Sequence, residues 1–137
     1  RPLLEAKVGS VMIANRTLSK AEELVNRFSP HGPVYACRFD DVPRTVHYSL
    51  VINATSAGVQ GKTPPYPERA ITGNTICYDL SYGLNATPFS KWASAQGAAR
   101  SVMGWGMLVE QAAESFFLWR GVRPNTESVL KQLKINA

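Results

Sequence analysis

At 137 residues, with 45% hydrophobic and 18% charged side chains, the chain can bury one real core and lacks the composition of a disordered segment. Its net charge of +5 is spread singly over Arg1, Lys7, Arg16, Lys20, Arg27, Arg38 and Arg44, without the clustering or aromatic interleaving of a nucleic-acid interface. No apolar run reaches membrane-spanning length, and Cys37 and Cys77 have neither metal-ligand nor disulfide-framework spacing, so no membrane, metal or nucleic-acid role is expected and a reducing cytoplasm is.

In chain order, residues 1–7 read as the tail of a helix, with Gly9 as its stop. Val11-Met12-Ile13-Ala14 is a continuous apolar run, the pattern of a strand buried on both faces. Ser19 and Glu22 then have capping-box spacing, and Ala21, Leu24, Val25 and Phe28 recur at helical spacing until Pro30 and Gly32. Val34-Tyr35-Ala36-Cys37 and Leu50-Val51-Ile52-Asn53 predict a second and a third strand, separated by a short helical turn and loop around Asp40, Asp41 and Pro43. Residues 59–67 carry Pro64, Pro65 and Pro67 and predict an exposed loop.

Thr75-Ile76-Cys77-Tyr78-Asp79 predicts a fourth strand, and Thr87-Pro88 opens a helix that passes Trp92 and ends by Gly97. Residues 100–103 form a short fifth strand. A helix over 107–119 stops at Gly121, its stripe of Met107, Leu108, Ala112, Phe116 and Trp119 reading as core, and a last amphipathic helix spans 126–135. Alternating strands and helices predict an α/β fold with a parallel, doubly wound sheet, in which ligands bind at the carboxyl ends of the strands. Asn15, Thr55, Tyr82 and Gly104 all fall just after strands.

Each of these positions admits a functional and a plainer reading. Nicotinamide-dinucleotide folds place an acid after the second strand to hold ribose hydroxyls, whereas Asn15 and Arg16 follow an apolar run here with no acid beside them. A guanidinium there can grip a 2′-phosphate, with Lys20 one turn further on, or the two cations can simply be solvated. Asn53-Ala54-Thr55-Ser56-Ala57-Gly58 offers hydroxyl donors and close backbone approach, or an ordinary turn. Tyr82 can donate into a cleft or cover the sheet end. Gly104, Leu108 and Gln111 share a helix face, where Gln111 can bond a substrate hydroxyl or carboxylate, or its own backbone. His31 and His47 read as surface residues without a triad pattern.

Taken together these runs resemble the NADP-binding half of shikimate dehydrogenase over essentially the whole chain. The matching segments are Asn15-Arg16-Thr17 with Lys20, Asn53-Ala54-Thr55-Ser56 with Gly58, Tyr78-Asp79-Leu80 with Tyr82 and Thr87-Pro88-Phe89, and Gly104-x-Gly106-Met107-Leu108-Val109 with Gln111. The resemblance implies a Rossmann-like fold and NADP as cofactor, with Asn15, Arg16, Thr17 and Lys20 at the 2′-phosphate. It places Thr55, Ser56, Leu80, Gly104 and Met107 about the nicotinamide, and Tyr82 and Gln111 on shikimate or 3-dehydroshikimate. The implied activity is reversible reduction of 3-dehydroshikimate with NADPH, in the biosynthesis of chorismate and aromatic amino acids.

The resemblance also implies absences. The family's Gly-x-Gly-Gly loop, its preceding central first strand, and its catalytic Lys and Asp in a separate substrate domain are all expected upstream of Arg1. Residues 1–137 are then a partial NADP-binding domain with no catalytic acid–base residue and an incomplete sheet. Its first two strands would lack the neighbour that joins them to the last three, leaving edges able to pair with a second copy. Two other readings stay open: a quinate/shikimate dehydrogenase of broader substrate choice, and a non-catalytic module that senses a nucleotide or a shikimate-like acid.

Overall fold

In the computed structural model, residues 1–43, 45–56 and 66–132 are described. The chain divides into two compact units, one built from Arg1–Val46 with Pro65–Ala70, the other from His47–Pro64 with Ile71–Ala137. Every strand pairing among the described residues is parallel, and the five strands form two ladders, one of two strands and one of three, the division expected from the sequence.

The first unit is a βαβ turn of chain. β1 (Val11–Ala14) pairs with β2 (Val34–Cys37) in register Val11↔Val34 to Ala14↔Cys37. Between them α2 (Leu18–Phe28) packs on both strands through Ala21, which is fully buried. α1 (Pro2–Glu5) precedes β1 as a single helical turn. The residue that takes the left-handed conformation after it is Lys7, with φ of 59°, rather than Gly9. β1 is half-buried along its whole length, not enclosed as its apolar run suggested. Nor does Ser19 cap α2. Thr17 is the extended N-cap residue, with no side-chain capping bond, and Ser19 already lies inside the helix.

The second unit stacks β3 (Leu50–Asn53), β4 (Ile76–Asp79) and β5 (Arg100–Met103) in the order β3-β4-β5. α3 (Pro88–Ala95) covers one face of β4 and β5. Its Thr87 N-cap accepts from the Ser90 N–H at 3.1 Å, so the Thr-Pro start works as expected. Phe89 and Ala93 of this helix are buried, as are Cys77 and Asp79 of β4. Leu50, Ile52 and Ile76 are exposed instead, because strand side chains alternate and these three point away from the buried Asn53, Cys77 and Asp79.

α4 (Trp105–Arg120) ends at Gly121, whose φ of 69° is the left-handed C-cap that only glycine adopts freely. α5 (Thr126–Gln132) packs back on it. The expected core stripe of α4 is a correction. Val109 and Ala113 are its buried residues, whereas Ala112, Phe116 and Trp119 are exposed, since the helix is apolar on more than one side and burial runs along the 109–113 line. The predicted continuation of α5 to residue 135 lies outside the described residues, as does the predicted exposed loop over 59–67 except for Pro67, which is half-buried, and Tyr66, which is buried rather than exposed. No described helix is long and apolar enough to cross a membrane.

Both cysteines are free and buried. Burial pushes the Cys77 thiol up to about 11 from an ordinary value of 9.0, and burial with the Asp41 charge raises Cys37. The native state thus holds the Cys77 proton more tightly than the unfolded chain does. That share of stability is intact below about pH 9 and disappears as pH rises towards 11. Cys77→Ala is expected to flatten the alkaline fall in the urea midpoint over this range. A slope unchanged by the substitution would contradict the assignment.

Candidate functional site

Two groups of side chains stand at strand carboxyl ends, one in each unit. In the first, the Asn15 backbone N–H extends the β1–β2 ladder to the Cys37 carbonyl at 3.1 Å, and its side-chain Nδ2 donates to the Thr17 carbonyl at 2.9 Å. This local bond folds the Asn15 side chain over the turn into α2. Arg16, Thr17 and Lys20 are exposed at that turn. Neither Arg16 nor Lys20 makes an ion pair among the described residues, and the first turn of α2 contains no acid. With the Thr17 hydroxyl not capping, and the Lys20 N–H already donating to the Thr17 carbonyl at 3.2 Å, the Leu18 and Ser19 N–H groups at the start of an eleven-residue helix are left beside two cations. That donor set suits a phosphate group.

In the second unit the buried centre is Asp79, 1% exposed at the end of β4. Parallel register sets it level with Asn53 at the end of β3. Asp79 Oδ1 accepts from Asn53 Nδ2 at 2.9 Å and from the Ser81 N–H at 3.0 Å, and Oδ2 accepts from the Thr87 hydroxyl that caps α3. Asn53 Oδ1 in turn accepts from the Thr55 N–H at 3.1 Å and the Thr55 hydroxyl at 2.8 Å. One carboxylate therefore fixes the end of β3, the loop after β4 and the start of α3.

The turn from β5 into α4 lies directly against this loop. Gly104 N–H donates to the Ser81 carbonyl at 2.9 Å, and a Cβ added to Gly104 would stand 2.5 Å from the Leu80 carbonyl oxygen. The Tyr82 and Trp105 rings meet with centroids 4.9 Å apart, and Trp105 Nε1 donates to the Gly83 carbonyl at 3.3 Å.

Around this frame Leu80, Tyr82, Ser56 and Gln111 are exposed, Thr55 and Met107 half-buried, and Gly104 buried. The side chains of Gln111 and Tyr82 make no hydrogen bond among the described residues, so the plainer reading of Gln111, bonded to its own backbone, is not what the structure contains. The structure thus joins Thr55, Leu80, Tyr82 and Gly104 through one bonded frame, while Met107 and Gln111 follow along α4. Ala57 and Gly58 lie outside the described residues. Sequence reasoning assigned no site role to Asn53 or Asp79, and gave Thr87 only that of a helix start. The available signal was a polar residue closing each of two adjacent apolar strands, with a Thr-Pro helix start eight residues after the second.

The fold is that of a Rossmann-like α/β protein, with its polar groups at the carboxyl ends of parallel strands. Residues 1–62 match the profile of the Shikimate / quinate 5-dehydrogenase family, and residues 104–134 match the Shikimate 5′-dehydrogenase C-terminal domain. The chain belongs to the shikimate dehydrogenase family. It is 50% identical over 134 residues to the shikimate dehydrogenase (NADP(+)) of Nitrosospira multiformis, covering 98% of this chain and 48% of that protein. Among solved structures it resembles shikimate 5-dehydrogenase of Thermus thermophilus in complex with NADP(H) and shikimate, with TM-score 0.73, 29% identity, and coverage of 91% of this chain and 45% of that one. It also resembles ligand-free 5-ketofructose reductase of a Gluconobacter species, with TM-score 0.78, 26% identity, and coverage of 97% and 50%. The chain spans about half the length of the curated relatives it matches.

Proposed function

We propose that this chain forms the NADP-binding part of an enzyme that reversibly reduces 3-dehydroshikimate to shikimate in the cytoplasm. The observation that carries the reading is the β1–α2 turn: Arg16 and Lys20 exposed, no acid in the first helical turn, and a helix start with no side-chain cap. A carboxylate there would repel a 2′-phosphate, and a guanidinium binds it with charge-assisted hydrogen bonds. Relatives named as NADP-dependent shikimate dehydrogenases, and a neighbour holding NADP(H) and shikimate, support the same cofactor and substrate.

In this reading Arg16, Lys20, Asn15 and Thr17 hold the adenosine end of the cofactor. Thr55, Ser56, Leu80, Gly104 and Met107 shape the nicotinamide end. The bound NADPH supplies a hydride to the carbonyl carbon of the substrate. Tyr82 and Gln111 orient the substrate through its hydroxyl or carboxylate groups. No residue of this chain is assigned the proton that reaches the carbonyl oxygen; the resemblance gives that role to a Lys/Asp pair in a separate substrate domain.

The test is Arg16→Ala in the full-length enzyme, assayed with both reduced cofactors. KM for NADPH should rise by about 30-fold, the worth of a charge-assisted pair, with NADH changed by less than about twofold. Equal losses for the two cofactors would remove Arg16 from the 2′-phosphate site.

A further inference from the structure

The hydrogen bonds beneath Thr55 have a direction, and that direction decides what Thr55 can offer a ligand. Asp79 is a buried carboxylate and only accepts. Asn53 must therefore turn its NH2 group towards Asp79 Oδ1, 2.9 Å away, and its carbonyl oxygen to the other side. On that other side stands the Thr55 backbone N–H at 3.1 Å, which only donates. The two neighbours demand the same orientation of the Asn53 amide, so the orientation follows from the partners themselves. Asn53 Oδ1 carries no hydrogen, and its 2.8 Å contact with Thr55 Oγ1 must have the threonine as donor. A hydroxyl has one proton. With that proton directed inward, only lone pairs of Thr55 face outward.

We propose that Thr55 is an acceptor-only position that selects ligands by a hydrogen-bond donor, an N–H or O–H, with its polarity set by Asp79 through Asn53. The inference rests on the reading above, in which Thr55 shapes the nicotinamide end, where the hydride reaches the substrate. Two donors belong to that setting: the carboxamide N–H of the nicotinamide and a hydroxyl of shikimate. A freely rotating threonine would serve donors and acceptors alike. This one discriminates.

The experiment measures dissociation constants with the full-length enzyme, so turnover does not enter. The probes are NADP+, its 3-acetylpyridine analogue, in which a methyl replaces the carboxamide NH2, and shikimate beside its singly deoxygenated analogues. Thr55→Val keeps the shape and removes the acceptor. It should weaken NADP+ by roughly fivefold while leaving the acetylpyridine analogue within about twofold. Thr55→Ser retains a pinned hydroxyl and should keep the wild-type preference. Asn53→Ala leaves the Thr55 hydroxyl in place but unpinned, and should narrow the preference.

Loss of preference confined to one deoxygenated shikimate also supports an acceptor at Thr55 and names the substrate hydroxyl as its donor. Equal weakening of NADP+ and its analogue by Thr55→Val, with preferences among the shikimates unchanged, would overturn the inference alone. Failure of the wild-type enzyme to bind NADP+ would overturn the proposed function with it.

Discussion

Asp79→Ala is expected to lower the stability of the chain by about 3–5 kcal/mol, since a buried acceptor is removed from several donors at once. The Asn53 amide, the Ser81 N–H and the Thr87 hydroxyl all end on this carboxylate. Each donor left dry costs about 1–3 kcal/mol, and water entering the space recovers part of the sum. The Thr87 cap on α3 loses its anchor as well, a feature worth about 1 kcal/mol by itself. A loss of this size approaches the whole stability of many domains of about 5–15 kcal/mol.

Asp79→Asn separates charge from connectivity. Its carbonyl oxygen can take the Oδ1 position and keep Asn53 and Ser81. Its NH2 group then faces Thr87 Oγ1, which retains a lone pair beyond the one used by the Ser90 N–H. The asparagine variant should lose only about 1 kcal/mol, by the same accounting of one rearranged bond. Urea midpoints of the three proteins would measure both effects. An alanine variant as stable as the asparagine variant would mean that the network holds nothing together.

The positions of β1, β2 and β3 were legible because each is a four-residue apolar run closed by a polar or small residue, and all three fall where those runs predict. Thr87-Pro88 and Gly121 were legible for a related reason: each carries its backbone requirement in its own chemistry. Where the requirement belongs to a neighbour, local reading failed. Ser19 has the right spacing for a capping box, yet the extended residue is Thr17, two places earlier. Phe116 and Trp119 have the right period for a core stripe. The side of α4 that is buried, however, runs through Val109 and Ala113, a choice made by packing and not by periodicity.

The candidate site divides in the same way. Arg16, Lys20, Thr55, Tyr82 and Gln111 could be picked out as chemistry-bearing residues after strands or on a helix face. The bond between Asn53 and Asp79 could not, because they lie 26 residues apart and meet only through parallel register. That bond gives Thr55 its direction. The residues proposed to touch a ligand were thus easier to read than the bond that orients one of them.

Gly104→Ala should be the most damaging single methyl in this part of the chain, for a reason that has nothing to do with backbone dihedrals. Gly104 has φ of −70° and ψ of 14°, open to any residue. The obstacle is space: a Cβ would meet the Leu80 carbonyl oxygen at 2.5 Å, the Leu80 carbonyl carbon at 2.9 Å and the Asp79 carbonyl oxygen at 3.1 Å. All three are backbone atoms and cannot swing aside as a side chain does. Relief requires the β5–α4 turn to withdraw from the loop after β4, which stretches the bond from Gly104 N–H to the Ser81 carbonyl and parts Trp105 from Tyr82. Overpacking of this kind costs about 2–4 kcal/mol. Because Leu80 and Tyr82 move with the loop, the proposed function adds that weaker binding of both cofactor and substrate should accompany the lost stability.

Gly106→Ala is the control within the same motif. Its added Cβ would come no closer than 4.0 Å to the Tyr78 hydroxyl, and it sits inside α4, where alanine is favoured over glycine by about 0.5–1 kcal/mol. One methyl should therefore destabilise at residue 104 and stabilise at residue 106. Thermal melts of the two variants at equal concentration would show the difference. If Gly104→Ala melted with the parent, the close approach of the β5–α4 turn to Leu80 would be the feature to abandon, and with it the reason for glycine at that position.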